Sequence, residues 1–220
     1  MSQHDLLRTR WEQHKIKNTE SKKDDKDIKT AVKICLKLLS EQYPLHAFSV
    51  KSSLTFKEIW SYLNQKEDKN LENRKIIPDG GVIWMDNKYP VLITEMKKQG
   101  TNQERIAEGK KKQAVGNAIE RYGKNLMAFH TFYQNTDILP VVAFCHGCDF
   151  LDGVVQAKLY ALNSFHEINK IYDGIYKDRI KPSTILFKLD EWTVDELLQN
   201  MLPVVENSIN YFLKGDNYVC

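Results

Sequence analysis

The apolar positions of this chain follow two spacings, one typical of helices and one typical of strands. Apolar residues three and four positions apart predict helices with one buried face, and short β-branched runs predict strands. Helices are predicted from residue 27 and over 55–63, 114–134 and 193–213, and strands within 47–50, 77–83, 91–100, 138–145 and 185–189. Because helices and strands alternate, we predict an α/β fold with a mixed central sheet.

Polar segments separate these elements. Residues 4–16 are predicted to form a helical N-terminal arm, and 17–26 a charged linker, because the second stretch has no apolar position. Residues 65–75 are predicted to form a charged loop, and 149–182 show no pattern that can be assigned. We therefore expect one domain over 1–220 with an N-terminal arm over about 1–26.

The run from Ile77 to Ile83 and the run that begins at Val91 are predicted to pair as a β-hairpin around the polar turn 86–90. Residues two apart on a strand share a face, so Glu95 and Lys97 project together while Met96 points to a core on the other face. If the strands pair, Asp79 at the start of the first strand falls close to Glu95.

Two carboxylates and a lysine on one sheet face suit metal-dependent phosphodiester hydrolysis. Carboxylate oxygens are ligands that Mg²⁺ prefers, and a lysine can orient or deprotonate the attacking water or neutralise the phosphate. The pattern formed by Pro78-Asp79 and Glu95-Met96-Lys97 is that of many PD-(D/E)xK nucleases. The alternative is an exposed hairpin with charged edges. The apolar run before Glu95 favours the functional interpretation, because a charge that ends a buried strand needs a reason.

A basic segment follows the catalytic candidate Lys97. From Lys97 to Lys112 there are six basic residues against two acidic ones, and residues 98–112 lack helical or strand periodicity. The alternative is a solvated loop, but a loop of this length in a compact domain is usually functional or disordered. We predict that 98–112 form an arm that contacts the DNA backbone, with Lys110, Lys111 and Lys112 at phosphates.

Bulk properties exclude few function classes. A hydrophobic fraction of 42% permits a sizeable core, and a net charge of +3 permits nucleic-acid binding without arguing for it. The first 30 residues contain no apolar run, so no leader peptide is expected. No apolar stretch is long enough to predict a membrane span. The four scattered cysteines predict reduced thiols in a cytoplasm. Cys145-His146-Gly147-Cys148 raises zinc as an alternative, but the end of a buried strand is the preferred interpretation.

Three blocks of the chain resemble the EcoRI family of type II restriction endonucleases. Pro78-Asp79-Gly80-Gly81 resembles the family's first catalytic motif, and Glu95-Met96-Lys97-Lys98-Gln99-Gly100 resembles the second. Gly116-Asn117-Ala118-Ile119-Glu120-Arg121, followed by Lys124-Asn125, resembles its recognition segment. Weaker similarity at 12–15 and 39–44 extends the resemblance over roughly residues 8–150.

This resemblance implies a restriction-endonuclease-like fold, with a mixed sheet flanked by helices, and a homodimeric, Mg²⁺-dependent enzyme that cuts both strands of a short palindrome in double-stranded DNA. It also implies a protecting DNA methyltransferase in the same host. By position, Asp79, Glu95 and the carbonyl of Met96 would bind the metal, and Lys97 would be the catalytic lysine. The implied base contacts lie in the recognition segment and beside it, at Gln99, Gln113, Ala114, Gly116, Asn117, Ala118 and Arg121.

The base-reading roles agree with the chemistry of adenine. An asparagine amide matches the N6 and N7 positions of adenine in the major groove, and arginine is a strong donor to N7. The resemblance implies that Asn117 and Arg121 read adenine edges, that Ala118 packs in the groove, and that Gln99 supports the pyrimidine side. It likewise implies a central AATT with four-base 5′ extensions as the expected specificity.

Departures from the family affect the outer base pair. Gln113 is polar where the family has an apolar side chain, which favours a relaxed outer position that accepts either purine before AATT. The turn between Asp79 and Glu95 and the arm before Gly116 are shorter than in the family. Two further functions stay open from the residues alone: a repair or junction-resolving nuclease with the same metal core, and a DNA-binding protein without catalysis.

Overall fold

A computed structural model describes residues 3–66, 69, 71–98, 106–109, 117–147, 150, 152–172, 176 and 181–216, with side chains from residue 22 onward except those of 117 and 216. The elements in this part of the chain follow the predicted alternation of helices and strands. They are α1 (Gln3–Gln42), β1 (Phe48–Lys51), β2 (Leu54–Thr55), α2 (Phe56–Tyr62), β3 (Lys75–Ile76), β4 (Gly81–Met85), β5 (Tyr89–Lys98), α3 (Asn117–Phe132), β6 (Val141–His146), α4 (Gly153–Leu162), β7 (Thr184–Lys188) and α5 (Val194–Asp216).

The central sheet has five strands in the order β1-β4-β5-β6-β7. β1, β4 and β5 pair antiparallel, whereas β5, β6 and β7 pair in parallel. Parallel neighbours require crossover connections, and α3 and α4 lie in the two crossovers. The predicted mixed α/β sheet is confirmed, with β5 at its centre.

Helices cover both faces of this sheet. One apolar cluster joins α1 and α5 to the first face, through residues such as Ile28, Leu39 and Val205. A second cluster joins α2, α3 and α4 to the opposite face, through residues such as Phe129 and Leu159. Strands covered on both faces are expected to read as continuous apolar runs, and every residue of β4 and β6 is buried.

A type I′ turn sets the register of the β4–β5 hairpin. Asp86 and Asn87 have φ values of 55° and 54°, and the N–H of Lys88 donates to the carbonyl of Met85 at 3.0 Å. Aspartate and asparagine tolerate this left-handed conformation, which the turn requires at both central positions. The turn is shorter than predicted, because Tyr89 and Pro90 already belong to β5.

The predicted linker at 17–26 is wrong, because α1 runs through it without a break. Lysine, aspartate and glutamate are acceptable helix formers, so the lack of apolar residues did not imply a break. One of these residues, Asp24, is only 6% exposed. It faces the Nε2 of His146 at 3.0 Å, and this long-range pair holds a polar turn of α1 against the end of β6.

Other segments also differ from the sequence expectations. The strand predicted from Ile77 begins only at Gly81, so Asp79 precedes β4 and is not its first part. The helix predicted from 114 is described from Asn117, with 114–116 outside the described residues. The unassigned stretch 149–182 contains α4, which the Asp152 side chain caps by accepting from the N–H of Val154. No helix of the described chain is long and apolar enough to cross a membrane.

Candidate active site

Asp79 lies at the entrance to β4, where two glycines shape the backbone. A Cβ on Gly80 would lie 2.0 Å from the Thr94 Oγ1 and 3.0 Å from a side-chain carbon of Ile28. Gly81 has φ +86°, a conformation that a side chain would strain. The close approach that Gly80 permits lets the N–H of Met96 donate to the Asp79 Oδ2 at 2.9 Å. Asp79 is thereby attached to β5, two strand positions beyond the last residue pair of the hairpin.

The Lys97 ammonium lies between the two carboxylates. Its Nζ is 2.6 Å from the Asp79 Oδ2 and 2.6 Å from the Glu95 Oε2. The side chain of Glu95 is fully buried, that of Lys97 is 14% exposed, and that of Asp79 is 30% exposed. The three residues that the sequence singled out therefore form one cluster that opens to solvent at Asp79. Met96 points the other way, into the core shared with α1 and α5.

Burial controls the electrostatics of this cluster. The pKa of the Glu95 carboxyl is raised to about 7, chiefly by desolvation; the ammonium of Lys97 opposes the rise, and the charge of Asp79 adds to it. Burial acts to lower the pKa of Lys97, but Glu95 and Asp79 outweigh it, so the pKa is raised. Lys97 is therefore a cation at neutral pH, and Glu95 changes its charge within the physiological range.

Two more polar side chains lie at the cluster, and the sequence reasoning assigned neither of them a role. The Asn125 Nδ2 donates to the Glu95 Oε1 at 2.7 Å. On α1, burial raises the pKa of Asp25, and the charge of Asp79 raises it further. No local sequence pattern indicates the hydrogen bond of Asn125 or the electrostatic interaction of Asp25 with Asp79, since the two residues belong to separate helices.

The predicted DNA-contacting residues are described only in part. Ala118 is half-buried and Arg121 is exposed, both in the first turns of α3. Asn117 is the first residue of α3, and its side chain is outside the described atoms. The remaining predicted contacts also lie outside the described residues: Gln99, Lys110, Lys111, Lys112, Gln113, Ala114 and Gly116.

The described residues of the alternative zinc site, Cys145 and His146, have other environments in the structure. Cys145 is buried within β6, and burial raises the pKa of its thiol to about 12. His146 contacts Asp24, and Cys148 lies outside the described residues. Among the described side chains, no group of three or more His, Cys, Asp or Glu could hold a metal ion. A metal beside Asp79 and Glu95 would therefore need backbone or solvent oxygens as further ligands.

Comparisons with known proteins identify the family of the chain. Residues 12–161 match the family model described as Restriction endonuclease EcoRI. The chain is similar to the type II restriction enzyme RsrI of Cereibacter sphaeroides, with 26% identity over 234 residues that cover 86% of this chain and 84% of the relative. It is also similar to the type II restriction enzyme EcoRI of Escherichia coli, with 31% identity over 165 residues that cover 64% of this chain and 59% of the relative.

Proposed function

The chain belongs to the EcoRI restriction endonuclease family, and we propose on that basis that it is a type II restriction endonuclease acting on double-stranded DNA. It hydrolyses phosphodiesters with Mg²⁺ at a palindrome with a central AATT and leaves four-base 5′ extensions. The observation that carries the proposal is the cluster at the end of β5, where the Lys97 ammonium lies 2.6 Å from each of two carboxylates.

The donor set of this cluster fits Mg²⁺. The carboxylates of Asp79 and Glu95 and the carbonyl of Met96 offer the hard oxygen ligands that this ion prefers, and solvent completes its shell. The raised pKa of Glu95 indicates that its buried charge is poorly compensated, and a divalent cation would correct this. When bound, the ion supplies Lewis-acid stabilisation of the negative charge that builds up on the phosphate.

The charge state of Lys97 limits its role in the reaction. The two carboxylates raise the pKa of Lys97, which favours the charged ammonium form over the neutral amine that a general base would need. Its ammonium instead donates hydrogen bonds, which orient the attacking water and neutralise the scissile phosphate. Asp79, the most exposed of the three side chains, lies on the side from which the phosphate enters.

The start of α3 is the proposed base-reading element. Positions 117 and 121 are four residues apart, a spacing that puts two positions on one helix face, and Arg121 is exposed. The asparagine amide suits adenine N6 and N7, and the arginine donates to N7. Gln113 and Ala114, which precede α3, contact the outer base pair. The amide of Gln113 can donate or accept a hydrogen bond, so either purine is tolerated at that position.

The proposed assembly is a homodimer on its palindrome. A two-fold dimer presents one reading face to each half-site, so palindromic DNA matches its symmetry. We place the enzyme in the cytoplasm, where a methyltransferase of the same host protects chromosomal sites.

Digestion of a plasmid of known sequence with Mg²⁺ tests the proposal. Discrete fragments whose sequenced ends carry AATT are expected. Structure-dependent nicks would instead indicate a repair or junction-resolving nuclease, and binding without cleavage would indicate a silent DNA-binding protein. The matched control is Glu95→Gln, which keeps the shape of the side chain and removes the charge; cleavage by that variant at the wild-type rate would contradict the assigned site.

The ends of the fragments also test the outer base pair. A wrong pair in a specific interface costs about 1–3 kcal/mol, which separates a relaxed position from a strict one by roughly one to two decades in binding. Both purines before AATT are expected in digested genomic DNA. Ends with only guanine at that position would remove the role assigned to Gln113.

A further inference from the structure

Glu95 receives a hydrogen bond from the helix that carries the proposed base-reading residues. Its Oε1 accepts from the Asn125 Nδ2 at 2.7 Å, while its Oε2 accepts from the Lys97 Nζ at 2.6 Å. Among the described residues, each oxygen of the Glu95 carboxylate thus has one hydrogen-bond donor, and the two donors belong to α3 and β5. Since a fully buried carboxylate depends strongly on its few partners, Asn125 controls how the Glu95 carboxylate is oriented.

Asn125 is placed by a helix that is firmly packed. Tyr122, Leu126 and Phe129 of α3 are buried in the core shared with α2 and α4. Asn125 follows Arg121 by one helical turn, and Asn117 by two. The packing of α3 therefore fixes where the Asn125 amide stands relative to β5.

We propose that Asn125 is a positioning residue that holds the Glu95 carboxylate in its metal-binding geometry. The inference rests on the proposed function, since it assigns a metal to Asp79 and Glu95. With the Oε1 held by Asn125, the Oε2 is directed to the space shared with Asp79 and Lys97. Without the amide the carboxylate is free to turn, which weakens it as a metal ligand.

The test compares Asn125→Asp and Asn125→Ala with Thr131→Ala. The aspartate variant keeps the size of the side chain but places a second carboxylate against Glu95, and Thr131 is an exposed residue of the same helix whose hydroxyl donates to the carbonyl of Met127. Three quantities are measured: the Mg²⁺ concentration for half-maximal cleavage, cognate DNA affinity without metal, and the titration of ¹³C-labelled glutamate carboxyls in the free protein.

For Asn125→Ala we expect the half-saturating Mg²⁺ concentration to rise about tenfold or more, as for other partners of metal ligands. DNA affinity without metal should stay within about twofold of wild type. The Glu95 titration should move upward by about one unit, because a donor to the charged form is lost. Thr131→Ala should match wild type in all three.

Two outcomes would show that Asn125 does not position the Glu95 carboxylate. If the Glu95 titration and the Mg²⁺ requirement match wild type in both Asn125 variants, the hydrogen bond has no positioning effect. If DNA affinity without metal falls as much as cleavage does, Asn125 is a DNA contact instead. Failure of wild-type protein to cut any DNA would refute the proposed function, and the titration in the free protein would still test the bond between Asn125 and Glu95.

Discussion

At the scale of single residues, the position of Asp79 depends on the missing side chain of its neighbour Gly80. In Gly80→Ala the new methyl group would overlap the Thr94 hydroxyl and crowd Ile28, so these buried side chains or the backbone that carries Asp79 must move, and we expect the backbone to give way. A displacement of about 1 Å at a catalytic group can cost about a hundredfold in rate, whereas overpacking usually costs about 1–3 kcal/mol of stability. We therefore expect cleavage assays to show a large loss, and urea unfolding to show a folded protein.

The partner of this clash provides the control. Thr94→Ala removes the nearest atom, although its Cβ would remain 3.1 Å from the new methyl group. The double variant should recover part of the lost rate, and Thr94→Ala alone should remain active. Full activity of the single Gly80→Ala variant would show that the backbone at Asp79 tolerates a side chain.

The raised pKa of Glu95 gives a second prediction at this scale. Below about pH 7 the carboxyl holds a proton, which competes with the metal, so cleavage at limiting Mg²⁺ should fall about tenfold per pH unit. Because the folded pKa lies above the ordinary value of 4.5, the folded state binds the proton more tightly than the unfolded state. Stability is therefore lost as the pH rises from about 4.5 to about 7.

Thermal unfolding of wild type and Glu95→Gln between pH 4 and pH 8 measures this linkage. The glutamine variant cannot ionise at position 95, so its melting temperature should gain on that of wild type as the pH rises through this window. Parallel curves for the two proteins would show that Glu95 does not titrate there.

At the scale of elements, the pair of Asp24 and His146 fastens α1 beside the active site. Both side chains are almost fully buried, and removal of one partner of a buried polar pair costs about 1–3 kcal/mol. Urea unfolding of Asp24→Ala, His146→Ala and the double variant should show each single change destabilising the protein. The double variant should lose less than the sum of the two.

Lys33→Ala, at an exposed position of α1, is the matched control and should leave the unfolding midpoint within error of wild type. Strict additivity of the Asp24 and His146 changes would mean that the two side chains act independently, and that other contacts hold α1 in place.

The elements also show where sequence reasoning succeeds and where it stops. The hairpin and the cluster at its end follow from two local rules, the alternation of side chains on a strand and the turn chemistry of Asp86 and Asn87. The helical run through 17–26 was missed because the contact between Asp24 and His146 joins residues far apart in the chain. The contact of Asn125 with Glu95 was missed for the same reason.

At the scale of the whole molecule, a net charge of +3 is too small to bring DNA to the site by itself. We predict that Lys110, Lys111 and Lys112, which lie outside the described residues, supply local phosphate contacts. Their triple replacement by alanine should flatten the log–log salt dependence of DNA binding by about one unit for each lost contact. Filter binding across a range of salt concentrations measures the slope.

A control variant with the same change of net charge elsewhere distinguishes local phosphate contacts from attraction by the overall charge of the protein. Lys33, Lys37 and Lys214 are exposed on α1 and α5, and their triple replacement by alanine removes the same three charges. This control should keep the wild-type slope. Equal slopes for the two triple variants would show that Lys110, Lys111 and Lys112 make no phosphate contacts of their own.

The tight turn of the β4–β5 hairpin has an evolutionary consequence for chains of this type. It lies at the opposite end of the two strands from Asp79, yet it fixes which β5 residues stand opposite β4. A slip of one position would turn Lys97 toward the apolar core beside α1 and α5 and move Met96 to the face of the carboxylate cluster. A related enzyme with a longer turn should therefore stay active only when a shift of strand register, like the one between Ile83 and Trp84, compensates for the added residue. Insertions in the turn should thus be inherited together with strand bulges.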